Sequence, residues 1–236
     1  MPWAERQWGR YLRGMAAVPE VPGTNRPDAL HFTADPEANQ LLAQQPLAAL
    51  LGMLLDQQVT MEWAFGAPLL LKRRLGVAEL DAAAIAAMDP ADLEAVFRDK
   101  PALHRYPASM AKRAHDLCRY LVDKYGGNPE ALWDDVATGE ELLARVHELP
   151  GFGKDKSRIF VGVLGKRLGV RPPGWEAVAA DWASIADVDT FERVAEIRDQ
   201  KRAVKAAKKA AGSENAAPEK AAPAKKRPAA LKTRSR

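Results

Sequence analysis

The feature that most constrains the fold is a hexapeptide in the second half of the chain, Leu-Pro-Gly-Phe-Gly-Lys at residues 149–154. Apolar residues have helical spacing before it, over residues 141–148, and again after it, over residues 155–168. Pro150 ends the first helix because its ring clashes with a continuing helical turn. Gly151 and Gly153 can adopt positive φ and carry no side chain. The sequence therefore predicts two helices joined by a tight turn.

This turn has the composition of a phosphate-binding site. The amides at the start of the second helix point out of its positive end, and a backbone without side chains lets an anion approach them. Lys154 and Lys156 lie beside these amides. We predict that the segment Gly151-Phe152-Gly153 and the two lysines bind a DNA phosphate. The alternative is an ordinary turn between helices, because two glycines one residue apart are weak evidence on their own.

Helical patterns recur along most of the chain. Pro36, Pro46, Pro90 and Pro107 each fit the first turn of a helix, where a missing amide costs nothing. The cleanest apolar stripe runs through residues 107–125 and stops at two glycines. Convincing strand alternation is absent. These patterns predict an all-α fold, a bundle of about ten helices in which each apolar face packs on a neighbour.

Charge and composition divide the chain into three parts. Residues 1–28 form an irregular N-terminal segment, residues 29–200 the helical domain, and residues 201–236 a basic tail. The net charge is +4, but the tail has twelve Lys and Arg against two Glu, so residues 1–200 carry a net −6. A tail of Lys, Ala and Pro cannot bury enough surface to fold, so we expect disorder from about residue 210. It would bind nucleic acid without sequence preference or serve as a solubility tail.

Composition also excludes several classes of protein. No run of apolar residues is long enough to span a membrane, and the N-terminus lacks a signal-peptide core, so we expect a cytoplasmic protein, associated with the nucleoid if bacterial. Cys118 is the single cysteine, which excludes internal disulfides, cysteine-ligated metals and iron–sulfur clusters. His104 and His115 lack nearby metal-binding partners, so we expect satisfied or solvated histidines and no side-chain metal site. A monomer is predicted.

Two further segments accompany the hexapeptide. Residues 54–60 read Leu-Leu-Asp-Gln-Gln-Val-Thr, and residues 105–114 begin with Arg-Tyr-Pro and end with Lys-Arg-Ala. In order and spacing, the three segments resemble the helix-hairpin-helix DNA glycosylase superfamily of base excision repair, over roughly residues 30–185. The superfamily includes endonuclease-III-like and alkyladenine-type enzymes. The resemblance implies two helical lobes with double-stranded, damaged DNA in the cleft between them. The chain lacks the four-cysteine cluster common in the endonuclease III branch.

The resemblance also implies roles for individual residues. Gln58 matches the family's glutamine and would fill the hole that a flipped base leaves in the duplex, where its amide can bond base edges. The alternative is a helix-end glutamine that caps backbone groups. Lys112 lies in the segment before the hairpin and joins the predicted DNA-binding residues. Hairpin carbonyls in the family also hold a monovalent cation, which would be the protein's one cofactor.

The catalytic carboxylate is the residue that the sequence identifies least clearly. Glycosidic cleavage passes through an oxocarbenium-like transition state that a nearby carboxylate stabilises. The family places an Asp in the loop after the second hairpin helix, but residues 168–175 contain no acid here. Asp181 is our first candidate, although it could instead cap a helix, and Glu176 is the second. The lysine nucleophile of the lyase branch is replaced by Asp155, which we expect to cap the helix.

The sequence thus predicts a monofunctional DNA glycosylase that hydrolyses the N-glycosidic bond of a damaged base, without lyase activity. One alternative is a non-catalytic helix-hairpin-helix DNA-binding module that has lost its catalytic Asp. A second is a helical interaction protein whose tail is its only DNA contact.

Overall fold

The computed structural model describes residues 26–214, and the irregular N-terminal segment predicted for residues 1–28 lies almost wholly outside this range. The described residues form helices and turns and contain no strand, which confirms the predicted all-α class. The α-helices are α1 (Pro36–Gln44), α2 (Pro46–Leu55), α3 (Met61–Leu75), α4 (Ala82–Ala86), α5 (Pro90–Arg98), α6 (Pro107–Tyr125), α7 (Gly139–His147), α8 (Lys154–Arg167), α9 (Trp175–Val178) and α10 (Glu192–Glu214). Short 3₁₀ segments cover Pro129–Leu132 and Ile185–Asp187.

Several helices start directly after a side chain that accepts hydrogen bonds from the first free amides. Asp35, Thr60, Asp81 and Asp89 each accept a hydrogen bond from a backbone amide in the first turn of the helix that follows. A cap of this kind satisfies amides that have no partner within the helix, and is worth about 1 kcal/mol. The predicted prolines stand at the first position of α1, α2, α5 and α6. Local sequence therefore sets most of the helix boundaries.

The helices pack in three neighbouring groups. Helices α1, α2 and α3 contact one another, α6 packs against α4 and α5, and α7, α8 and α9 form the third group together with segment 185–187. Helix α2, buried along nearly its whole length, also contacts α6. A single buried apolar cluster extends through all three groups from Leu30 to Ile197. The division into two lobes stays a prediction.

The chain divides into one compact unit up to Gln200 and a second unit from Lys201. Helix α10 ends at Glu214, and the disorder predicted for the rest of the tail concerns residues beyond the described range. Among the described helices, none is long and apolar enough to cross a membrane.

Candidate nucleic-acid interface

The turn between α2 and α3, residues 56–60, is the most unusual piece of backbone in the protein; we call it the Gln58 turn. Gln58 has a φ of 58°, and it is the one residue other than glycine with positive φ within residues 26–214. This conformation costs an L-residue roughly 1–2 kcal/mol, so it persists only where surrounding contacts hold it. Gln58 is exposed, whereas the five residues before Asp56 are buried. The turn thus exposes a polar side chain next to a buried stretch of α2.

His104, directly before the segment 105–114, and Arg113 within that segment both bond Gln57 of the Gln58 turn. The Nδ1 of His104 accepts a hydrogen bond from the Tyr106 amide at 3.0 Å, so the proton on Nε2 is donated to the Gln57 carbonyl, also at 3.0 Å. His104 is fully buried, and burial lowers the pKa of its ring. The Arg113 guanidinium donates to the Gln57 side-chain oxygen at 2.5 Å. A neutral histidine and a charged arginine therefore fix the residue that precedes Gln58.

Lys156 of α8 bonds the end of α2, directly before the Gln58 turn. Its ammonium donates to the carbonyls of Met53 and Leu54, at 2.6 and 3.0 Å, at the C-terminal end of α2. Burial lowers the pKa of Lys156 to about 8, the Arg113 charge also lowers it, and the Asp56 carboxylate raises it. The prediction that Lys156 binds DNA phosphate is therefore corrected, because its charge points into the protein and neutralises the negative end of a helix.

The two glutamines of the turn have separate tasks. The Gln57 amide donates to the Leu54 carbonyl at 2.7 Å, so Gln57 takes the helix-capping role that was the alternative for Gln58. The side-chain oxygen of Gln58 accepts a hydrogen bond from the Tyr106 hydroxyl at 3.4 Å. Gln58 has no capping bond to α2, and its exposed amide is available to a partner molecule.

The second predicted element is the turn at residues 148–153 between α7 and α8, which we call the glycine turn. Gly151 has a φ of 87°, and a Cβ there would lie 2.5 Å from Leu54 Cδ1, so the glycine turn packs directly on the end of α2. Gly153 has ordinary φ and open space around the position of a Cβ. No side chain caps α8, which leaves its first amides facing outward beside the exposed Lys154.

The structure places two further residues of this turn, and the expectation for Asp155 is corrected. Phe152 is only 3 % exposed and packs edge-on against Phe160, with 5.7 Å between ring centroids, so its side chain belongs to the core. DNA binding by Phe152 stays a prediction that concerns its backbone alone. Asp155 does not cap α8; Gly153 holds the capping position and Asp155 lies exposed in the first turn. Periodicity alone could not reveal the burial of Phe152 or the position of Asp155, because both depend on how the turn packs on the rest of the protein.

The resemblance implies a monovalent cation at carbonyls of the glycine turn. The Gly153 carbonyl already accepts hydrogen bonds from the amide and the hydroxyl of Ser157, at 2.9 and 3.0 Å. The Leu149 carbonyl accepts from the Phe152 amide at 3.0 Å. Gly153 therefore has no lone pair left for a metal, and the cation stays a prediction that concerns the other carbonyls of the turn. Within residues 26–214, no group of His, Cys, Asp or Glu side chains is arranged to hold a metal ion.

The two candidate carboxylates lie in the chain segment that returns along α8. The Ala180 amide donates to the Arg158 carbonyl at 3.0 Å, which fixes the backbone just before Asp181. The Asp181 carboxylate accepts from the Arg158 guanidinium at 3.2 Å, while 80 % of its side chain is exposed. The guanidinium also lies 4.8 Å from the centre of the Trp182 ring. Glu176 is exposed in the short helix α9. Asp181 is thus a solvated, ion-paired carboxylate in the free protein.

The structure brings together residues that are far apart in sequence. Gln58, Gly151 and the segment from His104 to Arg113 meet around the end of α2. Lys112 lies on α6, exposed, and its ammonium donates to Asp116 at 2.7 Å. Sequence reasoning assigned no role to Gln57 and Arg113, although both lie in the two quoted segments, or to Arg158, because only the folded structure shows which groups their side chains bond. His104 was expected to be satisfied or solvated, and it is satisfied.

Comparison of the chain with protein-family models, with curated proteins and with solved structures gave no match.

Proposed function

We propose that this protein binds damaged double-stranded DNA and acts as a monofunctional DNA glycosylase in base excision repair. The observation that carries the proposal is the convergence of three sequence segments on the exposed Gln58. The end of α2 contacts the glycine turn through Gly151, the buried Lys156 through two hydrogen bonds, and the His104 segment through Gln57. In this arrangement the side chain of Gln58 would insert into the duplex, and the free amides at the start of α8 would bind a neighbouring phosphate.

The phosphate grip consists of backbone rather than side-chain charge. The first amides of α8 carry the positive end of the helix dipole, and the open space at Gly153 lets a phosphate oxygen come close. Lys154 and Lys112 add exposed positive charges, which strengthen binding in a salt-dependent way. Two buried groups hold this backbone in place. Phe152 packs in the core, and Lys156 bonds the end of α2.

Asp181 is the carboxylate that fits the hydrolytic step best. Its backbone is fixed to α8 by the Ala180 amide, and its side chain is exposed, so a DNA sugar could approach it. When bound DNA excludes water, a carboxylate stabilises the developing positive charge of the sugar and orients a water molecule. Glu176, four residues before Ala180, is the second candidate. A lyase step through Lys156 is excluded from the proposal because its amine donates to α2.

The alternative function is a non-catalytic DNA-binding module. The observation that favours it is the ion pair between Asp181 and Arg158, which offsets the negative charge that the transition state requires. Such a protein would use the same Gln58 turn and glycine turn, and would recognise a lesion without releasing the base.

The test is single-turnover base release from duplexes that carry alkylated, deaminated or oxidised bases, with the full chain, Asp181→Asn and Glu176→Gln. Binding of the same duplexes is measured by fluorescence anisotropy, with Gln58→Ala and the matched control Gln44→Ala, an exposed glutamine at the end of α1. We expect base release that Asp181→Asn abolishes, and weaker lesion binding for Gln58→Ala alone.

Each other outcome points to a specific correction. Release that survives in Asp181→Asn but not in Glu176→Gln would transfer the catalytic role to Glu176. Binding without release from any duplex would support the non-catalytic module. DNA binding that disappears on removal of residues 201–236, and is insensitive to Gln58→Ala, would contradict the proposed interface and leave the basic tail as the DNA contact.

A further inference from the structure

We propose that a cavity at the C-terminal end of α8 is a binding site for a small polyphosphate, a ligand with two or more adjacent phosphate groups. The cavity has a volume of about 350 Å³ and is lined by Arg26, Pro27, Lys166, Arg167, Gly169 and Arg171. We call it the arginine cavity. It shares no residue with the Gln58 turn or the glycine turn, so the inference does not depend on the proposed function.

The charge of the arginine cavity is opposite to that of the domain around it. Four of its six lining residues are cationic, whereas residues 1–200 together carry a net −6. Two of these cations are paired with carboxylates. Arg26 is paired with Glu130, and the Lys166 ammonium lies 2.5 Å from a carboxylate oxygen of Asp187. The other two cationic charges are uncompensated, and a local positive field in a concave site attracts an anion.

The two remaining arginines are each fixed by one nitrogen. The Nε of Arg171 donates to the Gly165 carbonyl at 2.8 Å. The Nε of Arg167 donates to the Ala186 carbonyl, also at 2.8 Å. Within residues 26–214, neither guanidinium forms a further hydrogen bond or an ion pair. Because a guanidinium has five N–H donors, each keeps four of them for a ligand.

The bond to Gly165 also gives Arg171 a structural role. Gly165 lies in the last turn of α8, where carbonyls lack partners within the helix and positive charge is favourable. Capping of this kind needs one donor and no cavity. It therefore does not account for two arginines with free terminal nitrogens that line the same concave site.

The donor set and the size of the cavity identify the ligand. A guanidinium binds phosphate through two parallel hydrogen bonds, a geometry that a lysine ammonium does not offer. Two free guanidinium forks beside two partly compensated cations suit a ligand with more than one phosphate. Gly169, at a φ of 74°, adds backbone without a side chain to the lining. The volume lies at the lower end of the range for small-molecule sites.

The arginine cavity lies at the opposite end of α8 from the glycine turn. A helix of 14 residues is about 21 Å long, so the cavity is roughly one helix length from the amides that we propose for DNA phosphate. A concave site encloses a small ligand, whereas a DNA backbone is contacted along an open surface. A DNA contact at the cavity is the competing explanation, and the experiment tests it.

The experiment measures binding of tripolyphosphate and of adenosine triphosphate to the full-length protein by isothermal titration calorimetry, in about 150 mM salt to screen weak surface binding. The wild type is compared with Arg167→Gln, Arg171→Gln and the matched control Arg119→Gln, an exposed arginine on α6. Because charged hydrogen bonds to phosphate are lost, we expect each cavity variant to bind tripolyphosphate about tenfold more weakly. The control should change the affinity less than about twofold.

The two probes distinguish the sources of the polyphosphate. Equal affinity for both, lost in Arg171→Gln, would show that the cavity recognises the phosphates alone. Tighter binding of adenosine triphosphate, also lost in Arg171→Gln, would show that the nucleoside contributes as well. Both results support the proposed site.

A further variant separates loss of binding from loss of fold. Arg171→Lys keeps the positive charge and one donor for the Gly165 carbonyl, but it lacks the fork. It should match the wild type in thermal unfolding and still bind tripolyphosphate severalfold more weakly. Binding as tight as in the wild type would contradict recognition through the fork.

Three other results would overturn the proposal. The first is that the wild type does not bind tripolyphosphate. The second is equal binding by the wild type and both cavity variants, which would assign the polyphosphate to other cations, such as those of the basic tail. The third is that the cavity variants lose affinity for duplex DNA while no protein binds tripolyphosphate, which would make the cavity a DNA contact. None of these results bears on base release, so the proposed function is tested separately.

Discussion

The Gln58 turn and the Asp181 segment are the two parts of the proposed interface, and they are constructed in opposite ways. Around Gln58, the buried His104 bonds the backbone of the strained turn, and the largely buried Lys156 bonds the end of the helix directly before it. Around Asp181, the preceding backbone is attached to α8 by the Ala180 amide and by Arg158, which donates to the Val178 and Ala179 carbonyls. The carboxylate itself stands in solvent with Arg158 as its partner.

The difference shows which part of the proposed interface already has its working geometry in the free protein. The proposed binding surface is preorganised, because the strain at Gln58 and the buried polar groups beneath it are compensated by hydrogen bonds in the free protein. The carboxylate is not, since exposed charges interact weakly in water and gain strength only when a ligand excludes solvent. Recognition should therefore survive changes that abolish chemistry, and changes under the Gln58 turn should affect both.

The largest effect on stability should come from Gly151→Ala, which attacks the contact between the glycine turn and α2. An alanine at a φ of 87° is strained, and its Cβ would press on the buried Leu54. We expect a loss of about 2–4 kcal/mol in the free energy of unfolding, measured by urea denaturation. Gly153→Ala is the matched control, with ordinary φ and open space, and should cost only about 0.5–1 kcal/mol. Equal losses in the two variants would show that Gly151 is not seated on α2.

Lys156→Met should have an intermediate effect that depends on pH. The folded pKa of about 8 is below the ordinary value of 10.5, so between these pH values the unfolded chain binds the proton that the folded chain has lost. The wild type therefore gains stability as the pH rises from 8 to 10.5, by up to about 1.4 kcal/mol per pH unit, and the variant lacks this gain. At pH 7 the two should differ little, because the variant loses two hydrogen bonds but also the cost of a buried charge.

The measurement for Lys156 is urea denaturation of both proteins at pH 7 and pH 10. Comparison of the two proteins at each pH cancels the titration of groups that do not interact with Lys156. A difference in stability that increases by about 2 kcal/mol at the higher pH supports the inward lysine. A difference that is the same at both values would mean that the ammonium is solvated.

The smallest effect on stability should come from Asp181→Asn. An exposed ion pair contributes less than about 1 kcal/mol, so the substitution should change thermal unfolding by only a few degrees at most. Calorimetry at low and high salt checks this, since the residual effect should disappear in 1 M salt. A large loss of stability would show that the Asp181 segment is as tightly integrated as the Gln58 turn, and would break the contrast between the two regions.

Several parts of this molecule could be predicted from the sequence because their causes are local. Pro36, Pro107 and the glycines after Tyr125 determine helix ends through the geometry of their own backbone, and the structure has these ends where the sequence predicted them. The all-α class follows from apolar residues repeated with helical spacing. Gly151 was singled out because glycine tolerates positive φ at a turn, whereas Gln58 was singled out through the resemblance alone.

The direction in which a side chain points was decided by the tertiary structure. Lys154 and Lys156 are alike in sequence, but a shift of two positions on a helix turns the second toward the end of α2 and leaves the first exposed. Phe152 lies between two flexible glycines and yet fills the core. The sequence by itself determined where the chain is helical and where it turns, because dihedral preferences and periodicity act over a few residues. Only packing between distant segments decided which groups meet at Gln58, because those contacts depend on how the helices are arranged in space.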